Sequence, residues 1–134
     1  MTELTPANVF QFQRRFQFRG GRLRRFRVRN DSPKSSSGEL VLSAADQQGG
    51  KKVLLRLSFE GVEEYRFQRR PGAAQPRFTD VQIGFFGTLV YVNLDPFTVD
   101  GPPKVMDFRA SDSFLAGRLI RWEVVEQAKK LEGN

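Results

Sequence analysis

Hydrophobic side chains recur at every second position along most of this 134-residue chain, and helical spacing is rare. Such alternation places successive side chains on opposite faces of an extended strand. Clusters of Gly, Pro, Asp and Asn separate the alternating runs, as they do between short strands. The pattern predicts an all-β fold, with one domain over residues 1–134 built as an antiparallel sandwich or barrel of about nine strands.

The first alternating run lies near the N-terminus. Four phenylalanines share one face of residues 9–19, and the other face is polar. Gly20-Gly21 then matches a two-residue turn, because glycine adopts the positive φ that such turns require. Residues 9–29 are therefore predicted to form a β-hairpin, and pairing its phenylalanines requires a β-bulge at Arg24-Arg25.

The remaining chain is divided by turn-forming residues. Their concentration predicts mobile loops over residues 31–38, 69–77 and 95–104. We expect helix only as a short turn near residues 112–117 and as another turn at the C-terminus. Residues 78–94 are the most apolar part of the chain, and a strand here is predicted to be central in its sheet or to lie where something covers its outer side.

Composition excludes several classes of protein. The chain contains neither cysteine nor histidine, which excludes disulfides, thiolate or imidazole metal sites, and enzymes with a cysteine nucleophile or histidine base. No segment approaches the ~18 consecutive apolar residues of a membrane-spanning helix, and the N-terminus lacks the apolar core of a secretory signal. We therefore expect a cytoplasmic protein with no membrane partner, no metal and no cofactor.

Positive charge is concentrated in the N-terminal quarter. Of 22 basic and 15 acidic residues, residues 1–38 hold nine basic and two acidic ones, so this segment carries the whole net charge of +7. Eight arginines lie between positions 14 and 29 with no acidic residue among them. Arginine binds carboxylate or phosphate through two parallel hydrogen bonds. We predict an anion-binding face on the N-terminal hairpin, made of Arg15, Arg19, Arg22, Arg24, Arg25, Arg27 and Arg29.

This face predicts a non-enzymatic binding module whose partner is an acidic protein surface or a nucleic acid. The competing interpretation is a solvated sheet face whose arginines pair with glutamates on neighbouring strands. A second functional hypothesis is a β-barrel that binds a small hydrophobic or anionic ligand inside an aromatic-lined interior, with Arg14 as a contact. A third is a carboxylate-dependent enzyme. Edge-to-edge pairing of the strand over residues 8–19 would also allow a homo-oligomer.

Overall fold

The computed structural model describes residues 1–32, 35–68, 77–96 and 101–127. Strands predominate in this part of the chain and pair antiparallel, so the predicted all-β fold is confirmed. The elements are, in chain order, β1 (Thr2–Glu3), α1 (Val9–Arg15), β2 (Phe16–Gln17), β3 (Leu23–Ser32), β4 (Ser35–Asp46), β5 (Lys51–Phe67), β6 (Gln82–Phe86), β7 (Leu89–Asn93), α2 (Val105–Arg109) and β8 (Ser113–Gln127).

The eight described strands form one open sheet in the order β2-β4-β5-β8-β7-β6. β3 joins the sheet beside β4, and β1 pairs with β8. β7 lies between β6 and β8, and its residues Val90, Tyr91 and Val92 are buried. Burial on both faces explains why this strand is apolar at consecutive positions.

The sheet folds over its own inner face at two glycines in the long strands β5 and β8. Gly61 has a φ of +64° in the middle of β5, and the next residue, Val62, pairs with Gly117 of β8. Beyond this point both strands cross over β4. Val62 Cγ2 of β5 and Leu115 Cδ2 of β8 each lie 3.0 Å from the place that a Cβ atom would occupy at Gly38 of β4. One bent sheet therefore encloses a core on two sides, in place of two stacked sheets.

Side chains from both halves of the bent sheet form one hydrophobic cluster. α1 covers this cluster through Val9 and Phe12. At the open side, the Phe78 N–H donates to the Gly21 carbonyl at 2.7 Å and the Gly20 N–H donates to the Phe78 carbonyl at 2.8 Å. Within the described residues, neither helix has the length and apolar character needed to cross a lipid bilayer.

The predicted hairpin over residues 9–29 is wrong. Its first strand is replaced by α1 and β2, and β2 and β3 both pair with β4 rather than with each other. Val9, Phe12 and Phe16 fit helical spacing and all three are buried, whereas Phe10, which alternation places on the same face as Phe12 and Phe16, is 71% exposed. The homo-oligomer predicted from an edge strand over residues 8–19 loses its basis for the same reason.

The predicted β-bulge has a counterpart in a different pair of strands. The register between β3 and β4 shifts between Leu23 and Arg25, which places Leu23 opposite Leu42 and Arg25 opposite Val41. The irregularity therefore lies beside the predicted position, Arg24-Arg25, but the opposing strand is β4 rather than residues 9–19. After this shift, successive side chains of β3 point to opposite faces of the sheet.

Several predicted loops and turns either differ from the structure or lie outside the described residues. The loop over 31–38 is wrong except at 33–34, which lie outside the described residues, because β3 and β4 continue their pairing to Ser32 and Ser35. The helical turn over 112–117 is wrong, because residues 113–117 begin β8 and pair with neighbouring strands. The helix of this region is α2, at Val105–Arg109, where none was predicted. Residues 69–76, 97–100 and 128–134 lie outside the described residues. They include most of the predicted loop over 69–77, four residues of the predicted loop over 95–104, and the predicted C-terminal turn.

Candidate binding surface

β3 carries a row of arginines along one edge of the sheet. After the register shift, Phe26 and Val28 pack against the inner cluster, whereas Arg25, Arg27 and Arg29 are exposed. Alternate residues of a strand lie about 6.8 Å apart on one face. The outer face of β3 therefore presents three guanidinium groups in a line.

These three arginines differ in their partners. Arg25 forms an ion pair with Glu39 of β4, with Nη1 and Oε1 3.0 Å apart. Arg56 of β5 also approaches Glu39, at 3.6 Å, so one carboxylate is shared between two guanidinium groups. Within the described residues, neither Arg27 nor Arg29 forms an ion pair. Glu39 stands directly opposite Arg27 in the β3–β4 register, but its carboxylate contacts Arg25 and Arg56. The outermost strand thus presents Arg27 and Arg29 without an ion pair.

Away from β3, the same face is close to neutral because its arginines are matched by glutamates. Arg56 pairs with Glu123 at 2.9 Å, and Arg121 pairs with Glu60. The cationic surface is consequently about one strand wide, bordered by the carboxylates of Glu39 and Glu60. We call the exposed side chains of Arg25, Arg27 and Arg29 the arginine edge.

Arg15 does not belong to the predicted anion-binding face. Its Nε and Nη2 donate to the two carboxylate oxygens of Asp46, both at 3.1 Å, and its guanidinium lies over the rings of Phe16 and Trp122. The hydrogen bonds from Arg15 lower the pKa of Asp46 below its ordinary value. Arg15 therefore fastens the end of α1 to β4 and is not available to a partner.

The other predicted arginines are distributed around the arginine edge. Arg19 is exposed and its Nε donates to the Thr79 carbonyl at 3.5 Å, next to the hydrogen bonds that close the sheet. Arg22 and Arg24 are exposed at the start of β3. Arg14 is exposed on α1, so its predicted role as a ligand contact inside a barrel is wrong. Its position on a helix, rather than on an inward-facing strand, is the reason.

An aromatic cluster accompanies the arginine edge on the opposite face of β3. The Phe26 ring stacks on Phe67 of β5, with centroids 4.9 Å apart, and lies 6.5 Å from Tyr65. Tyr65 is 56% exposed and Phe67 is 40% exposed, although most of their aromatic counterparts are buried. Alternation along β5 puts Tyr65 and Phe67 on one face, but the sequence gives no sign of their contact with Phe26, because the fold of the sheet at Gly61 produces it.

A second polar cluster attaches α2 to the outer face. The Tyr91 hydroxyl donates to Glu64 Oε2 at 2.5 Å, and Arg109 donates to both carboxylate oxygens of Glu64 at 2.8 and 2.9 Å. Arg109 lowers the pKa of Glu64, whereas burial, followed by the Glu64 hydrogen bond, raises the pKa of Tyr91. The hydrogen-bonding groups of this cluster are satisfied by one another, which fits a structural role.

The candidates for carboxylate-dependent catalysis are the aspartates at or near predicted strand ends, Asp80, Asp95, Asp100, Asp107 and Asp112. Two of them hold local structure. Asp80 accepts a hydrogen bond from the Val81 N–H at 2.8 Å, and Asp107 accepts one from the Lys104 N–H at 2.7 Å at the start of α2. In residues 1–32, 35–68, 77–96 and 101–127, no three acidic side chains are grouped as a metal site would require. Asp100 lies outside these ranges.

No protein-family model, curated protein or solved structure matches this chain. The surface must therefore be interpreted from its own residues.

Proposed function

We propose that the protein is a non-enzymatic binding module that holds an acidic segment of another protein against the arginine edge. The observation that supports this proposal is the exposure of Arg27 and Arg29 without an acidic partner among the described residues. Guanidinium groups about 6.8 Å apart on one face of a strand repel one another unless an anion compensates for them. An acidic partner would supply that compensation and would gain charge-assisted hydrogen bonds.

The width of the charged surface favours a protein partner over a nucleic acid. Glu39 and Glu60 border the arginine edge on the same face, so a broad phosphate backbone would meet negative charge one or two strands away. The exposed aromatic rings lie on the opposite face of β3, where bases stacked on them would leave the arginines unoccupied. A narrow acidic segment can avoid the glutamates and still reach all three arginines.

The first experiment tests this proposal with fluorescein-labelled poly-L-glutamate and with a labelled single-stranded oligonucleotide of matched charge. Fluorescence anisotropy is measured at about 20 mM and about 150 mM salt. We expect poly-L-glutamate to bind at low salt and to weaken several-fold at the higher concentration. The double variant Arg27→Glu/Arg29→Glu should bind at least about tenfold more weakly, because two attractive contacts become repulsive.

The matched control is the double variant Arg14→Glu/Lys52→Glu, which makes the same charge change at two exposed basic residues away from β3 that, like Arg27 and Arg29, form no ion pair within the described residues. Equal loss of binding in the two double variants would show that net charge alone matters and would contradict the proposal. Absence of poly-L-glutamate binding at low salt would also contradict it. If the oligonucleotide binds more tightly than poly-L-glutamate, the partner is a nucleic acid rather than an acidic protein segment, and the proposal is wrong.

A further inference from the structure

β3 is an edge strand along its whole length. It spans ten residues, and β4 is the only strand of the described residues that pairs with it. Alternate backbone N–H and C=O groups of a paired strand point away from its neighbour. Between Arg25 and Asn30, these groups are therefore directed outward, where another extended chain can reach them.

The two faces of β3 offer different side chains at this edge. The outer face presents the arginine edge, and the inner face presents Phe26 and Val28, which are only partly buried. The exposed rings of Tyr65 and Phe67 enlarge the apolar inner surface. A strand added here would place its own side chains alternately beside the arginines and beside the aromatic cluster.

We infer that β3 accepts an extended peptide as an additional strand, and that the peptide alternates acidic with apolar residues. This inference rests on the proposed function and specifies the form of the acidic partner. Backbone hydrogen bonds to β3 supply part of the affinity, and the alternating side chains supply the specificity. The acidic side chains meet the arginine edge, and the apolar ones cover Phe26 and its neighbours.

Charge favours this peptide over a second copy of the same chain. Pairing two β3 strands edge to edge would place the arginines of one copy beside those of the other, and like charges on neighbouring strands are destabilising. An acidic peptide removes that repulsion. Lysine and arginine on an exposed edge are also a common means of preventing self-association, which fits a strand that is reserved for a different partner.

The experiment uses the full chain and four labelled peptides. The first alternates glutamate and valine, and the second contains the same residues as a glutamate block followed by a valine block. The third and fourth are the alternating peptide with N-methyl groups on every glutamate or on every valine. Residues of one type have their N–H groups on one edge of a strand, so each methylated peptide loses the hydrogen bonds of one edge.

We expect the alternating peptide to bind at least about tenfold more tightly than the block peptide. One of the two methylated peptides should lose at least about tenfold in affinity, and the other should bind nearly as tightly as the unmethylated peptide. Phe67→Ser should weaken the alternating peptide several-fold. Phe10→Ser, which removes another exposed phenylalanine, is the control and should leave binding unchanged.

The outcomes separate this inference from the proposed function. If the two methylated peptides bind equally, or if the block peptide binds as well as the alternating one, strand addition is wrong, whereas a loss of binding in Arg27→Glu/Arg29→Glu would still support an electrostatic surface. If that double variant binds every peptide as the natural chain does, the proposed function is wrong as well. Concentration-dependent dimers of the unbound chain in light scattering would identify a second copy as the occupant.

Discussion

Substitution of Gly21 should displace the start of β3, because this glycine lies against the backbone of β4. A Cβ atom at position 21 would be 2.1 Å from the Ser43 carbonyl oxygen, about 1 Å closer than real Cβ atoms approach. Moving the chain to relieve this overlap also strains the hydrogen bond from the Phe78 N–H to the Gly21 carbonyl. Overpacking costs about 1–3 kcal/mol and a lost hydrogen bond about 1 kcal/mol. Gly21→Ala should therefore reduce the free energy of unfolding by about 3 kcal/mol.

The neighbouring glycine provides a matched comparison. Gly20 has a φ of +83° but open space around its Cβ position, so Gly20→Ala should cost only about 1 kcal/mol, and Gly20→Asn less, since asparagine tolerates this conformation. Gly49→Ala meets neither obstacle and should be neutral. Urea unfolding can be followed through the fluorescence of Trp122, the single tryptophan. If Gly21→Ala costs no more than Gly20→Ala, the close contact between the β2–β3 connection and β4 does not exist.

Two further substitutions test the contacts that hold the two helices. Asp46→Asn removes the carboxylate whose pKa is lowered by Arg15. Because the folded state favours the ionised form, this carboxylate stabilises the fold at neutral pH. Its contribution to the free energy of unfolding disappears as the pH falls below about 4. Urea unfolding should show a loss of about 1–2 kcal/mol at pH 7 that shrinks in acid, and a loss independent of pH would contradict this assignment. Phe108→Ala empties a fully buried site under α2 and should lower the free energy of unfolding by about 3–4 kcal/mol. Met106→Ala, on the exposed side of the same helix, should lower it by less than about 0.5 kcal/mol. Equal decreases of the melting temperature in the two variants would show that α2 packs differently.

Alternation identified most strands of the bent sheet, but it gave no helix over Val105–Arg109 and failed where one sequence fits two periods. In residues 9–16, Phe12 and Phe16 fit both alternation and the helical spacing that they share with Val9. Local pattern does not choose between these periods, because the choice depends on which side chains find an existing core. The helical spacing alone would have left Phe10 outside, as the structure does.

Glycines misled the prediction for a related reason. Gly117 was expected to end a helical turn, yet it lies inside a continuous strand at the bend of the sheet, as Gly61 does. A glycine that ends an element and one that bends it have the same local signature. Only the long-range pairing of β5 with β8 distinguishes them.

The candidate surface was predictable in composition but not in position. The sequence indicated correctly that the N-terminal excess of arginine is largely exposed, and Arg25, Arg27 and Arg29 do share one face. Their strand pairs with β4 instead of residues 9–19, which brings Glu39 beside Arg25 and makes β3 an edge. Asp46 binds Arg15 and so excludes it from the candidate surface, and Tyr65 and Phe67 bring the aromatic cluster to β3. Both effects depend on residues that are distant in sequence.

Hydrogen exchange of the backbone amides, measured with and without the alternating glutamate–valine peptide, tests the central claim most directly. The account predicts that alternate amides between Arg25 and Asn30 exchange more slowly in the complex, and that the amides of β6, an edge strand at the far end of the sheet order, are unchanged. In Arg27→Glu/Arg29→Glu the same peptide concentration should give no protection. Protection of β6, or binding that leaves every amide of β3 at its original exchange rate, would contradict the assignment of β3 as the surface that receives the partner.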